Sequence, residues 1–171
     1  MGIGLNLKKV KFGPDSKDII EQVNDWVKID KTDYVKRRLF KGGDGDFAAL
    51  VEDSLGARLR LQEAYAYLCD GAVVGVAFTS STIPDVDMPT NVNITTICAN
   101  PEDPHFIIES EIIDEIKHST VKKYTRNIFA DISYVNKDLV RAFAENGFIV
   151  SREQNIIHVE CQLQPQYEHT R

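Results

Sequence analysis

The residues whose chemistry could do work in this chain are three cysteines, four histidines, two basic clusters and a glycine-rich acidic loop. Cys69, Cys98 and Cys161 form no CxxC pair and each stands in an apolar, strand-like context, which points to buried free thiols rather than zinc ligands, a disulfide or a nucleophile. His105, His118, His158 and His169 have no spacing that suggests a shared metal. Residues 41–46, Lys-Gly-Gly-Asp-Gly-Asp, lack the ligand spacing and closing Glu of a calcium loop and read as a flexible connection. Lys8, Lys9 and Lys11, and again Lys36, Arg37, Arg38 and Lys41, read as solvated faces. No GxSxG elbow, HExxH helix or P-loop is present.

Charge and composition narrow the class. A formal charge of −6 and a pI near 5.2 argue against a broad nucleic-acid surface, because neutralising phosphates needs clustered Lys and Arg. At 171 residues, with 43% apolar and 27% charged residues, the chain can bury a core without metal or disulfide staples. No apolar run approaches the roughly 20 residues of a membrane helix. The first residues lack the order of a secretory signal, and Asn6 breaks the myristoylation pattern, so a cytoplasmic location is expected.

The elements that must position any site follow from periodicity. Residues 5–12 alternate as an edge strand guarded by lysines. Asp15 or Ser16 caps a helix to about Ile29 with Ile19, Ile20, Val23, Trp26 and Val27 on its apolar stripe. Short helices are expected over 33–40 and 47–55, and a hairpin over 58–79 turning at Asp70-Gly71, the pair that favours a type I′ turn. After a polar loop, 80–91, comes a strand over 92–99 ended by Asn100-Pro101. A helix capped by Asp103, with Pro104 at its first position, then runs to about Lys123 along Ile107, Ile108, Ile112, Ile113 and Ile116.

Residues 126–150 hold a strand–helix–strand unit in one short span. Ile128, Ala130 and Ile132 alternate in the strand, Asn136 offers a side-chain cap, and Leu139, Val140, Phe143 and Ala144 form the helix stripe. Gly147 suits a left-handed turn before the next strand. Residues 155–163 make a last strand. This order describes an α/β (α+β) fold with a mixed, mostly antiparallel central sheet and helices on both faces.

That order, with Asn136, Phe143 and Gly147-Phe148 at the spacing of an "N, aromatic, GF" ending, resembles the GCN5-related N-acetyltransferase (GNAT) family. The resemblance implies one acyl-CoA N-acyltransferase-like domain over 1–163, followed by a polar tail, 164–171. It further implies acetyl-CoA as co-substrate, held between strands 92–99 and 127–132. Ile97, Cys98 and Ala99 would pair with pantetheine, and Asn136 and Phe143 would flank it. In this family the pyrophosphate lies on a loop and helix N-terminus of pattern (Q/R)xxGx(G/A), which falls here on His105, Phe106, Ile107, Ile108 and Glu109.

The pattern's own residues are replaced in this chain. Its Arg position falls on Pro104 and its glycine positions on Ile107 and Glu109, while Glu102, Asp103 and Glu109 add negative charge where diphosphate would lie. On that alignment, Glu109→Gly is expected to raise affinity for CoA. The family's tyrosine acid falls on Phe143, which leaves Tyr134 as the proton donor, with Glu63 as the base and Asp85 or Asp87 as alternatives. The expected acceptor is a small-molecule or peptide amine, with neither nucleic acid nor membrane as partner. The C-terminal edge strands would offer a homodimer surface. A binding or regulatory module that keeps the fold and loses turnover is the alternative reading.

Overall fold

The computed structural model describes residues 6–13, 15–40, 45–55, 60–82, 90–120 and 125–163. The candidates Asp85 and Asp87, most of the glycine loop and the C-terminal tail lie outside them. The chain order is β1 (Lys8–Lys11), α1 (Lys17–Ile29), α2 (Tyr34–Leu39), α3 (Phe47–Leu55), β2 (Arg60–Cys69), β3 (Ala72–Thr82), β4 (Thr90–Ala99), α4 (His105–Thr120), β5 (Thr125–Ser133), α5 (Lys137–Glu145), β6 (Ile149–Glu153) and β7 (Ile156–Gln162). These build one sheet, ordered β1-β2-β3-β4-β5-β7-β6, in which only β4 and β5 run parallel.

Local chemistry explains most boundaries. Asp70 and Gly71 both take positive φ, 52° and 83°, the pair of values a type I′ hairpin demands. Gly147 closes α5 at φ 86°. The expected stripe of α1 is buried at Val23 and Trp26. Three expected caps differ. The Ser16 hydroxyl accepts the Gly13 N–H at 2.9 Å instead of a helix amide, so it ties the preceding turn. The helix α4 begins at His105, with the Pro104 carbonyl accepting the Ile108 N–H at 3.2 Å. Asn136 serves α5 through its carbonyl, which accepts the Leu139 and Val140 amides, and its side-chain Oδ1 is buried without a partner.

Helices cover both faces, as alternation along β3 shows. The Phe78 ring meets Phe47 of α3 at 5.9 Å, whereas Gly75, three residues away and therefore on the other face, passes beneath Ile108 and Ile112 of α4. A Cβ at Gly75 would stand 2.6 Å from Ile112 Cδ1 and 3.1 Å from Ile108 Cγ2. The core runs through both layers, from Phe12, Trp26 and Phe47 to Ile112, Ile128 and Phe143. Of the cysteines only Cys98 is buried; Cys69 and Cys161 are partly exposed, against expectation.

The parallel pair is where the sheet opens. Strands β4 and β5 pair from Thr90↔Thr125 to Asn93↔Phe129 and no further, although β4 continues to Ala99 and β5 to Ser133. Two residues beyond the last pair, Thr95 is the extra residue of a bulge against β3, since Thr96 faces Phe78 and Ile94 faces Thr79. Its hydroxyl donates to the Phe78 carbonyl at 3.2 Å. A bulge bends its strand and increases the local twist, which turns the rest of β4 away from β5.

Gly75→Val is expected to destabilise the fold by about 1–3 kcal/mol in urea unfolding, because the added methyls meet buried isoleucines. A loss under about 0.5 kcal/mol would contradict this packing of α4 on β3.

Candidate functional site

The splay opens onto a cleft of about 760 Å³. Its walls are mostly apolar, with Leu39, Ile94, Ile97, Ile132, Leu139 and Phe143 among them. Polar groups enter from Arg37 and Arg38 of α2, from Asp53 and Ser54 of α3, from Gln62 of β2, from Asp131 of β5 and from Asn136. Ser54 is 9% exposed and its hydroxyl has no partner, and the Asn136 Oδ1 is likewise unpaired. Unpaired buried polar atoms are costly unless something meets them, and both of these residues border the cavity.

The open edge of β4 adds backbone. The Asn100 N–H turns back to the Val74 carbonyl at 2.8 Å, so alternation directs the amides of Ala99 and Ile97 away from β3 and into the splay. The two amides have different fates. The Ala99 N–H donates to the Tyr34 Oη at 2.8 Å, while Ile97 borders the cleft.

Tyr34 belongs to a buried cluster that closes one end of the splay. Its hydroxyl donates to Glu109 Oε2 at 2.6 Å, and Arg38 donates to the same carboxylate through Nε at 2.8 Å and through a second nitrogen at 3.4 Å. The side chains of Arg38 and Glu109 are 4% and 0% exposed. The His105 ring stacks on Tyr34 at 3.8 Å, and its Nε2–H donates to the Pro101 carbonyl. Tyr34 and Arg38 share a face of α2 by their four-residue spacing. The entry to that helix is held by Asp30, whose carboxylate accepts the Thr32 and Val35 amides.

Electrostatics fix the protonation states here. Burial, then the neighbouring Cys98 and Glu109, push the Tyr34 hydroxyl far up, so it stays a donor. Burial works against the charge on Arg38, but its hydrogen bonds to Glu109 outweigh that and raise its pKa. Burial also raises the Cys98 thiol well above its ordinary value, which removes it as a nucleophile.

The loop that leads into α4 satisfies itself. The Asn100 carbonyl accepts the Asp103 N–H at 2.9 Å, its side chain accepts the Glu102 N–H at 3.0 Å, and Pro104 has no N–H. Asp103 is raised by desolvation first and by Glu102 second.

Of the residues expected from sequence, Ile97, Asn136 and Phe143 border the cleft. Cys98, Ala99, Ile108 and Glu109 are buried, and Phe106 lies under the Arg141 guanidinium at 4.2 Å. Ile107 is partly exposed on α4 and His105 is stacked on Tyr34, neither bordering the cleft. The expected catalytic pair is not brought there. Glu63 pairs with Lys11 at 3.0 Å on the face of β2 opposite Gln62, and Tyr134 is 42% exposed beside Arg152. The expectation for Glu109→Gly also changes, because that carboxylate neutralises Arg38 inside the protein and does not face a diphosphate.

Two groupings are not apparent from the sequence. Arg38 belongs to a basic cluster that reads as a solvated face, yet its partner carries a signal: Glu109 lies three, four and seven residues before Ile112, Ile113 and Ile116, on the apolar stripe itself. The second is exposed on the sheet. His158 Nδ1 lies 2.8 Å from Asp131 Oδ1 and its Nε2 2.9 Å from Glu160 Oε1, an arrangement that needs both nitrogens protonated. Glu160 first, then Asp131, raise its pKa above the ordinary 6.5. Asp131 also borders the cleft.

Comparison with known proteins agrees with this geometry. No family model and no curated protein matches the chain by sequence. Solved structures match its fold over nearly its full length. An acetyltransferase from Thermus thermophilus gives a TM-score of 0.70 at 12% identity, covering 95% of this chain and 100% of that one. The GNAT domain of S. lividans PAT gives 0.67 at 12% identity, over 92% and 90% of the two chains. Campylobacter jejuni N-acetyltransferase PseH, solved in complex with acetyl coenzyme A, gives 0.64 at 12% identity over 92% and 99%. The fold is that of the GNAT acetyltransferases.

Glu109→Gln is expected to cost about 3–5 kcal/mol by leaving Arg38 buried and uncompensated, while Arg38→Met combined with Glu109→Leu recovers most of that loss. Equal loss in single and double variants, read by denaturant unfolding, would contradict it. The raised His158 pKa means its stabilisation is complete below the ordinary value and fades as pH rises through the folded one. The melting-temperature gap between wild type and His158→Gln should therefore shrink from about pH 6 to about pH 9, and a gap that widens would refute the double ion pair.

Proposed function

We propose that the protein is an N-acetyltransferase that moves an acetyl group from acetyl-CoA to the amine of a small molecule or peptide by direct attack. The observation that carries this reading is the splayed β4 edge. The backbone of Ile97 faces an apolar cleft in a fold shared with acetyltransferases, one of them solved with acetyl coenzyme A.

The donor fits this cleft at one end. An extended amide-bearing arm can add to the free edge of β4 as a strand would, with Ile97 supplying backbone donor and acceptor. Ser54 and Asn136 offer unpaired polar atoms beside it. The diphosphate end fits poorly, since the loop before α4 spends its Glu102 and Asp103 amides internally and Pro104 offers none.

The acceptor side carries two carboxylates as well as Arg37. Asp53 and Asp131 border the cleft and complement an ammonium group, which must lose its proton before the nitrogen attacks the thioester carbon. Asp131 is already engaged by His158, so Asp53 is the carboxylate assigned as proton acceptor, directly or through one water. Attack forms the C–N bond and leaves a second proton on the nitrogen; the C–S bond then breaks, the thiolate leaves, and the nitrogen's proton passes to water. Among the described residues bordering the cleft there is no tyrosine, so water protonates the thiolate.

A second reading, a binding module without turnover, is favoured by that self-satisfied loop. Titration calorimetry with acetyl-CoA, followed by thiol release in the presence of polyamines and lysine peptides, separates the two. Saturable binding with amine-dependent thiol release is the expected result. Binding without release from any amine would favour the module, and no binding at about millimolar ligand would remove both acetyl-CoA readings. Asp53→Asn should lower turnover by about 10²-fold with little change in donor binding.

A further inference from the structure

We propose that the cleft recognises its donor through the pantetheine arm alone, so that its substrate class is acyl-pantetheine thioesters in general and the nucleotide of CoA adds little to binding. This rests on the reading of the cleft as a thioester site and concerns which part of the thioester is held.

The arm and the diphosphate would meet very different surfaces. At the arm's end of the splay, the Ile97 backbone, the Ser54 hydroxyl and the Asn136 Oδ1 are open to a ligand. At the other end three groups that could hold a diphosphate are already engaged. The Ala99 amide, next along the same edge, is taken by Tyr34 at 2.8 Å. The guanidinium of Arg38 is neutralised by Glu109 at 2.8 Å and is 4% exposed, so it cannot swing out without leaving a buried carboxylate behind. The His105 ring is committed to Tyr34 and to the Pro101 carbonyl.

The loop repeats the pattern. Glu102 and Asp103 donate their amides to Asn100, and Pro104 has none to give. The first turn of α4 keeps its end amides, but two carboxylates, Glu102 and Asp103, immediately precede them and already supply the negative charge that a helix N-terminus favours. A diphosphate would bring further negative charge against both. Of the remaining cations, Arg37, which borders the cleft, donates to the Thr32 carbonyl at 3.0 Å, and Arg141 rests on the Phe106 ring at 4.2 Å.

Titration calorimetry on the full chain tests this with acetyl-CoA, S-acetylpantetheine and adenosine 3′,5′-bisphosphate as probes. The expected result is two thioester affinities within about threefold, no binding of the bisphosphate, and no change in either thioester affinity in Arg141→Ala. Acetyl-CoA bound more than about tenfold tighter than acetylpantetheine, or saturable binding of the bisphosphate, would overturn the proposal while leaving the transferase reading intact. A selective loss of acetyl-CoA affinity in Arg141→Ala would also overturn it. If neither thioester binds, both this proposal and the transferase reading fail.

Discussion

The ion pair between Arg38 and Glu109 is the constraint on which the site's shape depends. It joins α2 to α4 beyond the end of β4, where the sheet has opened. Such a pair is a poor source of net stability, because desolvation offsets most of the attraction. Its effect is positional. With Glu109 fixed, the Tyr34 hydroxyl has one acceptor to aim at, and its oxygen is then set to receive the Ala99 amide. One buried carboxylate thereby decides which part of the β4 edge is free for a ligand and which is occupied by the protein.

The cleft itself comes from a conflict between two pairings of β4. Against β3 the strand carries an extra residue at Thr95, and against β5 its pairing ends at Asn93. Bending at the bulge withdraws the later residues from β5 and leaves their amides without a ladder partner. A strand edge in that condition is an invitation to any extended, amide-bearing group. Close packing on the α4 face, where Gly75 admits Ile108 and Ile112, keeps the sheet from relaxing back.

Much of the architecture was legible because it is written in short-range signals: the Asp70-Gly71 turn, the stripe on α1, the Asn146-Gly147 stop. The site was less so. Asn136, Phe143 and Ile97 could be placed at the site only through the resemblance to the acetyltransferase family. Glu63 stands on the face of β2 away from the cleft, where alternation gives the bordering position to Gln62, and a carboxylate named by its type alone carries no such sidedness. Arg38 and Glu109 are 71 residues apart, and no local pattern pairs them. Asp131 and His158 meet only through the β5–β7 register.

The measurement that bears most directly on the splayed edge as a donor site is a crystal structure of the protein with acetyl-CoA. The pantetheine arm should lie along β4 with its amides on the Ile97 backbone and its thioester end toward Ser54 and Asp53, while Tyr34 keeps the Ala99 amide. An arm bound away from the β4 edge, or a diphosphate seated on the loop at Glu102 and Asp103 with Tyr34 displaced, would contradict it.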